Sequence, residues 1–103
     1  MFFDVSLSDK HLKGLKKNSD VFYLLISKMA VFSTLSFERL ITIGKENGLA
    51  KITDLKIHKN LQVDTELDLY KFRISRKYRC YCTRNLHSNN VLNLVFIDVH
   101  HDI

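Results

Sequence analysis

The chain has no proline, three glycines (Gly14, Gly44 and Gly48) and two cysteines among its 103 residues. With those two residue types so scarce, chain reversals fall to Asn, Ser and Asp. Cys80 and Cys82 are too few to staple a small secreted scaffold, and free thiols suit a reducing compartment. No run of roughly 18 apolar residues occurs, so no transmembrane helix is expected. The opening Met1-Phe2-Phe3-Asp4-Val5 lacks the basic start and long apolar stretch of a secretory signal. A cytoplasmic address, away from membranes, is the expectation. Glycine-rich phosphate loops, Gly-x-Ser-x-Gly and His-Glu-x-x-His are all missing, which leaves nucleotide hydrolase, serine hydrolase and zincin readings without support.

What is present describes a folded domain. Hydrophobic residues make up 46% and charged residues 26%, a balance that can bury a core, and the length fits a single domain over residues 1–103. Sixteen Lys and Arg against eleven Asp and Glu leave a net charge of +5, which favours a polyanionic partner. The charge is concentrated. Lys71, Arg73, Arg76, Lys77, Arg79 and Arg84 fall within fifteen positions that contain no acid. Such a stretch is either a basic edge that protects a sheet from aggregation or a surface for phosphates.

Periodicity divides the chain in two. Phe3, Val5 and Leu7 alternate with Asp4 and Ser6, as in a short strand. Ser8 is positioned to cap a helix over about residues 9–17, with Leu12 and Leu15 inward. Its outward Lys10, Lys13, Lys16 and Lys17 form either a solvated face or a phosphate contact. From Val21 to Ile43, apolar spacings of three and four predict helix. The run Ser33-Thr34-Leu35-Ser36 permits one bent helix or two, with Ser36 as the second cap. Gly48 is the expected helix stop. After residue 66 the period becomes 2, and Val91–Val99 is apolar on both faces, like a central strand. The expected fold is α+β, ordered β-α-α-β-β-β, with a curved antiparallel sheet and the helices packed on one face. Its core should include Leu12, Leu15, Leu25, Met29, Phe32, Tyr70, Phe72, Ile74, Cys80 and Val95, with Leu67 and Leu69 exposed on the far face.

Parity specifies the hairpin. Directly opposed residues of an antiparallel pair share a face. If Tyr70, Phe72 and Ile74 meet the helices together with Tyr78, Cys80 and Cys82, then Ile74 opposes Tyr78 around Ser75-Arg76-Lys77. Arg73 then opposes Arg79, and Lys71 opposes Tyr81, on the face away from the helices. A one-residue slip would bury arginine and expose phenylalanine. Two opposed arginines repel unless an anion lies between them, and phosphate matches their planar donors. Tyr81 beside them is a candidate stacking surface for a base. Lys71, Arg76, Lys77, Tyr81 and Arg84 are therefore the candidate RNA-contacting residues around Arg73 and Arg79. Cys80-x-Cys82 could join His87, His100, His101 and Asp102 in a metal site only by favourable folding. Core thiols are the preferred reading.

Glu66-Leu67-Asp68-Leu69-Tyr70-Lys71-Phe72-Arg73-Ile74, followed by Lys77-Tyr78-Arg79-Cys80-Tyr81, resembles the sheet core of the RelE/ParE toxin superfamily. The ending Phe96-Ile97-Asp98-Val99-His100-His101 is similar to the family's last strand and basic tail, although arginine is common where this chain has histidine. The opening Ser6-Leu7-Ser8-Asp9, with Leu12, Leu15 and Lys16, fits its first strand and helix. The resemblance implies the toxin of a toxin–antitoxin pair, restrained by an acidic antitoxin protein. The activity implied is cleavage of mRNA on the ribosome by 2′-hydroxyl attack, without a metal or other cofactor. On this basis Arg79 is the expected phosphate-stabilising residue, with Arg73 as its partner and His100 or His101 as the proton donor. A non-catalytic module of the same fold, either a gyrase-directed toxin or an inactive relative, is the alternative. Arg79 lies on the open face in this reading, so its loss is expected to leave stability almost unchanged.

Overall fold

The computed structural model describes residues 2–4, 19–84 and 91–99. In chain order the elements are β1 (Phe2–Asp4), α1 (Ser19–Phe32), α2 (Phe37–Ile43), β2 (Ala50–Ile52), α3 (Leu55–Asn60), β3 (Leu69–Arg73), β4 (Arg79–Arg84) and β5 (Val91–Asp98). They form an α+β fold. The single sheet has the order β1-β5-β4-β3-β2. Strands β2 to β5 are antiparallel, and β1 adds to the edge parallel to β5. The predicted helix over 9–17, with Leu12 and Leu15, and the positions of Val5 and Leu7 lie outside the described residues.

The region from Val21 to Ile43 is two helices, bent by 113° at the hydroxyl-rich break. Ser33 and Thr34 donate their side-chain hydroxyls to Ala30 O and Val31 O, each at 2.7 Å, and so satisfy carbonyls at the end of α1. Ser36 Oγ accepts from Arg39 N at 3.1 Å and caps α2. The stop is Gly44 rather than Gly48. Gly44 has φ +84° and donates its N–H back to Leu40 O. Gly48 serves another purpose, because a Cβ there would collide with the Leu40 carbonyl oxygen. Its missing side chain lets the chain fold back so that Leu49 N also reaches Leu40 O and β2 begins one residue later.

The main core lies between α1–α2 and one sheet face. Val21, Leu25, Phe32, Phe37, Leu40 and Leu49 meet Tyr70, Phe72, Ile74, Tyr78, Cys80, Cys82, Leu92, Leu94 and Ile97. Phe3, Phe32 and Phe72 pack as a trio with ring centroids 5.1–6.4 Å apart. The hairpin register is the one parity demands: Phe72 opposes Cys80, Lys71 opposes Tyr81 and Arg73 opposes Arg79. Ile74 N donates to Tyr78 O at 3.0 Å.

Four expectations are corrected. The helices do not all occupy one face: α3 and the residues after it cover part of the other. There Ile52, Leu69 and Tyr81 form a second buried cluster with Ile57, Leu61, Val63 and Phe96. Leu69 is consequently fully buried, not exposed, and Leu67 is half-buried. A bulge between Tyr81 and Cys82 skips Val95, pairing Tyr81 with Phe96 but Cys82 with Leu94. Strict alternation therefore fails in β5, where Leu94 and Ile97 enter the main core and Val95 is only half-buried. Met29 packs at the margin of that core instead of its centre.

Among the described residues, no single helix is long and apolar enough to cross a membrane.

Candidate functional site

The second sheet face is divided between an apolar half and a charged half. Under α3 lie Leu69, Tyr81 and Phe96. Toward the hairpin turn, the same face presents Lys71, Arg73 and Arg79. The loop that leaves α2 completes the wall. Because Ala50 pairs with Lys71, the residues preceding Ala50 run toward the Arg73 end of β3. Lys45 and Glu46 thereby join Lys71, Arg73 and Arg79 around a depression of about 200 Å³. Four cations and one carboxylate meet there, drawn from three chain segments.

The two arginines resolve their mutual repulsion inside the protein. Arg73 Nη1 lies 3.1 Å from Glu46 Oε2, in an ion pair whose carboxylate is 61% exposed. Arg73 Nε is buried and has no hydrogen-bond acceptor, so the guanidinium is engaged at one end only. Arg79 Nη1 donates to Ser75 O at 2.8 Å, Tyr78 O at 3.1 Å and Arg76 O at 3.2 Å. This arginine is held by the turn carbonyls, which fix its head at the pocket rim. The expectation that its loss leaves stability almost unchanged is therefore corrected: two Nη1 hydrogens shared among three partly solvated carbonyls contribute about 1–3 kcal/mol in all.

The positive field reaches beyond the pocket. Burial, and next the Arg73 charge, hold the Lys28 ammonium below the ordinary lysine range. On the neighbouring strand, Asp98 opposes Arg79 in the register, on the same sheet face, and is buried. Burial pushes the Tyr81 phenol up, the Asp98 carboxylate adds to that shift, and Arg79 opposes it.

The predicted site residues separate into groups. Arg73, Arg79 and Lys71 converge as expected. Arg76 and Lys77 sit exposed on the turn at the rim. Tyr81 does not offer a stacking surface: it is 3% exposed beneath α3. Arg84 is on the opposite face, its guanidinium 3.8 Å from the Phe37 ring centroid, because the even-numbered side chains of β4 face the helices. His100 and His101 lie outside the described residues. Sequence reasoning missed Lys45 and Glu46; the signal was a polar triplet, Lys45-Glu46-Asn47, between Gly44 and Gly48.

Two further groups carry no site. Cys80 and Cys82 are free, buried thiols, both pushed upward, chiefly by burial. Among the described residues no three His, Cys, Asp or Glu side chains are grouped so as to hold a metal ion. His58 is buried, with Nδ1 3.2 Å from Asp54 O and Nε2 3.2 Å from Leu67 O. It ties α3 to the segment that leads into β3.

No family model, curated protein or solved structure matches the chain.

Proposed function

We propose that this chain is a RelE/ParE-like toxin domain, acting in the cytoplasm as a metal-independent endoribonuclease on ribosome-bound mRNA and restrained by an acidic antitoxin protein. The observation that carries the reading is the pocket of Lys45, Lys71, Arg73 and Arg79, where an excess of three positive charges lines one small depression. Attack of a ribose 2′-hydroxyl on the neighbouring phosphate builds negative charge on the phosphorane oxygens. Donors already oriented toward that position stabilise it without reorganising. Arg79 meets this requirement, since the turn carbonyls hold its Nη1. Arg73 is its partner across the strand pair, Lys71 and Lys45 neutralise the scissile or adjacent phosphate, and Arg76 and Lys77 extend the track along the strand. The proton for the leaving 5′-oxygen is assigned to His100 or His101, which follow Asp98, the strand partner of Arg79, by two and three positions.

The test is cleavage of ribosome-bound mRNA by purified protein in the presence of chelator, scored for 2′,3′-cyclic phosphate ends. Arg79→Ala should lower the rate by roughly 10²–10³, the effect of losing one preorganised donor. It should also cost about 1–3 kcal/mol of stability through the vacated turn carbonyls, so rates are compared at a temperature where both proteins are folded. Wild-type protein that binds RNA but never cuts it would point to the non-catalytic module of the same fold. Expression without the antitoxin should arrest growth, and normal growth at high levels of folded protein would refute the toxin reading.

A further inference from the structure

We infer that Glu46 determines the ligand preference of the pocket: it is a resident counter-anion on Arg73 that a substrate phosphate must displace. The inference rests on reading the pocket as a phosphate site, and it concerns which anion the site accepts. The parity of the hairpin forces Arg73 opposite Arg79, and Lys45 and Lys71 add to the same field. An anion is required there, and the chain supplies its own from the loop between Gly44 and Gly48. The Glu46 carboxylate reaches Arg73 through one contact, Oε2 to Nη1 at 3.1 Å. It is therefore an incomplete ligand. A phosphate, with several non-bridging oxygens, can take both Nη groups of the guanidinium in the bidentate manner that one carboxylate oxygen does not achieve. The exchange conserves charge at Arg73, because one monoanion leaves and one phosphodiester enters. Glu46 is largely exposed, so rotation of its side chain releases it into water.

Tethering gives Glu46 an advantage over any dilute free anion, since its carboxylate competes at the high local concentration of an attached group. A small anion has only the pocket with which to overcome this competitor. A nucleic-acid strand adds contacts of neighbouring phosphates to Arg76, Lys77 and Lys45, and those contacts offset the displacement. Glu46 thus raises the threshold for single phosphates and leaves the site to a strand.

The experiment measures binding of inorganic phosphate and of a short 2′-O-methyl RNA, which cannot be cleaved, by calorimetry. Four full-length proteins are compared: wild type, Glu46→Gln, Arg73→Gln and the double variant, each checked for folding by circular dichroism. Glu46→Gln should bind phosphate about five- to tenfold more tightly than wild type, the competition expected from losing a partly exposed ion pair together with its repulsion of the ligand. In the Arg73→Gln background the same change should gain less than about twofold, because the competition operates through Arg73. Unchanged phosphate affinity in Glu46→Gln, with RNA binding intact, overturns the inference alone. An equal gain in both backgrounds also overturns it, since Glu46 would then act only as a diffuse charge. If none of the four proteins binds phosphate or RNA, the pocket is not a phosphate site, and the functional reading fails with the inference.

Discussion

Truncating Tyr81 separates the surface that periodicity suggests from the one that packing creates. By alternation this residue lies on the basic face beside Lys71, where it would stack on a base. In the fold it is 3% exposed, enclosed by Ile52, Leu69, Ile57, Leu61, Val63 and Phe96. Removing a buried aromatic side chain costs about 3–5 kcal/mol. The low end, about 3 kcal/mol, applies here, because the overlying α3 has only six residues and a thin layer settles into part of the cavity. With a urea m-value of about 1.5 kcal/mol per M, the midpoint should fall by about 2 M. In a domain of this size the same loss lowers Tm by roughly 12–24 °C. Tyr81→Phe keeps the ring and should cost less than about 1.5 kcal/mol, the worth of one hydrogen bond. RNA affinity of folded Tyr81→Ala should stay within about twofold of wild type, because no base reaches the ring. Lys71→Ala should show the reverse: stability within about 0.5 kcal/mol of wild type and a salt slope of RNA binding reduced by about one. The assays are urea melts followed by circular dichroism and fluorescence anisotropy with labelled RNA. A Tyr81→Ala protein with an unchanged midpoint and severalfold weaker RNA binding would refute the second core.

Four further outcomes follow from buried polar groups and the turn. Cys80 and Cys82 should resist alkylation in the native protein and react at the rate of unfolding, which mass spectrometry of quenched samples will show. Their folded pKa values are raised above 9.0. Above that pH the unfolded chain therefore holds fewer protons than the native one, and stability falls as pH rises by up to about 1.4 kcal/mol per thiol per pH unit. Urea midpoints measured between pH 8 and 11 should show this decline, reduced in Cys82→Val. His58→Leu should cost about 1–3 kcal/mol, since leucine cannot make the polar contacts by which the buried imidazole bridges Asp54 O and Leu67 O, and the urea midpoint measures it. Arg79→Lys should recover little of the cleavage lost in Arg79→Ala, because an ammonium does not reproduce the guanidinium fork.

The hairpin was legible because its two strands alternate strictly and its turn is short. Burial of Phe72 and Cys80 leaves no other register. The break at Ser36 was legible as a cap, although one helix and two were equally consistent with the apolar spacing. The segment from Ala50 to Asn60 was not legible. Its strand is three residues long and its helix six, too short to show a period, and Lys51, Lys56 and Lys59 give it the composition of a loop. Without α3, nothing in the pattern covers this half of the face, and alternation alone leaves Leu69 and Tyr81 exposed. The bulge opposite Tyr81 and Cys82 was equally hidden, since an apolar run such as Leu92-Asn93-Leu94-Val95-Phe96-Ile97 reads the same with or without an inserted residue. Lys45 and Glu46 enter the pocket only through a chain reversal, which no local pattern specifies.

Magnitudes decide how much of the pocket needs a functional explanation. Opposing Arg73 to Arg79 costs up to about 1 kcal/mol, the scale of a like-charge cross-strand pair. Slipping the register by one residue would expose Phe72 and Cys80 and bury Arg73 without partners, at several kcal/mol or more. Packing therefore dictates the arginine pair, and the pair alone argues for no ligand. The protein then compensates both arginines internally, Arg73 with Glu46 and Arg79 with the turn carbonyls. What the core does not require is the rest of the field. Lys45 could be any polar residue of an exposed turn, and Lys71 could be neutral opposite Tyr81. Their positive charges add self-repulsion beside Arg73 and bring no ion pair, since the two salt bridges of the described residues are Lys51–Asp68 and Arg73–Glu46. Stability gains nothing from placing them there. A site that receives phosphate does, and neutralising Lys45 or Lys71 should consequently raise the urea midpoint slightly while weakening RNA binding.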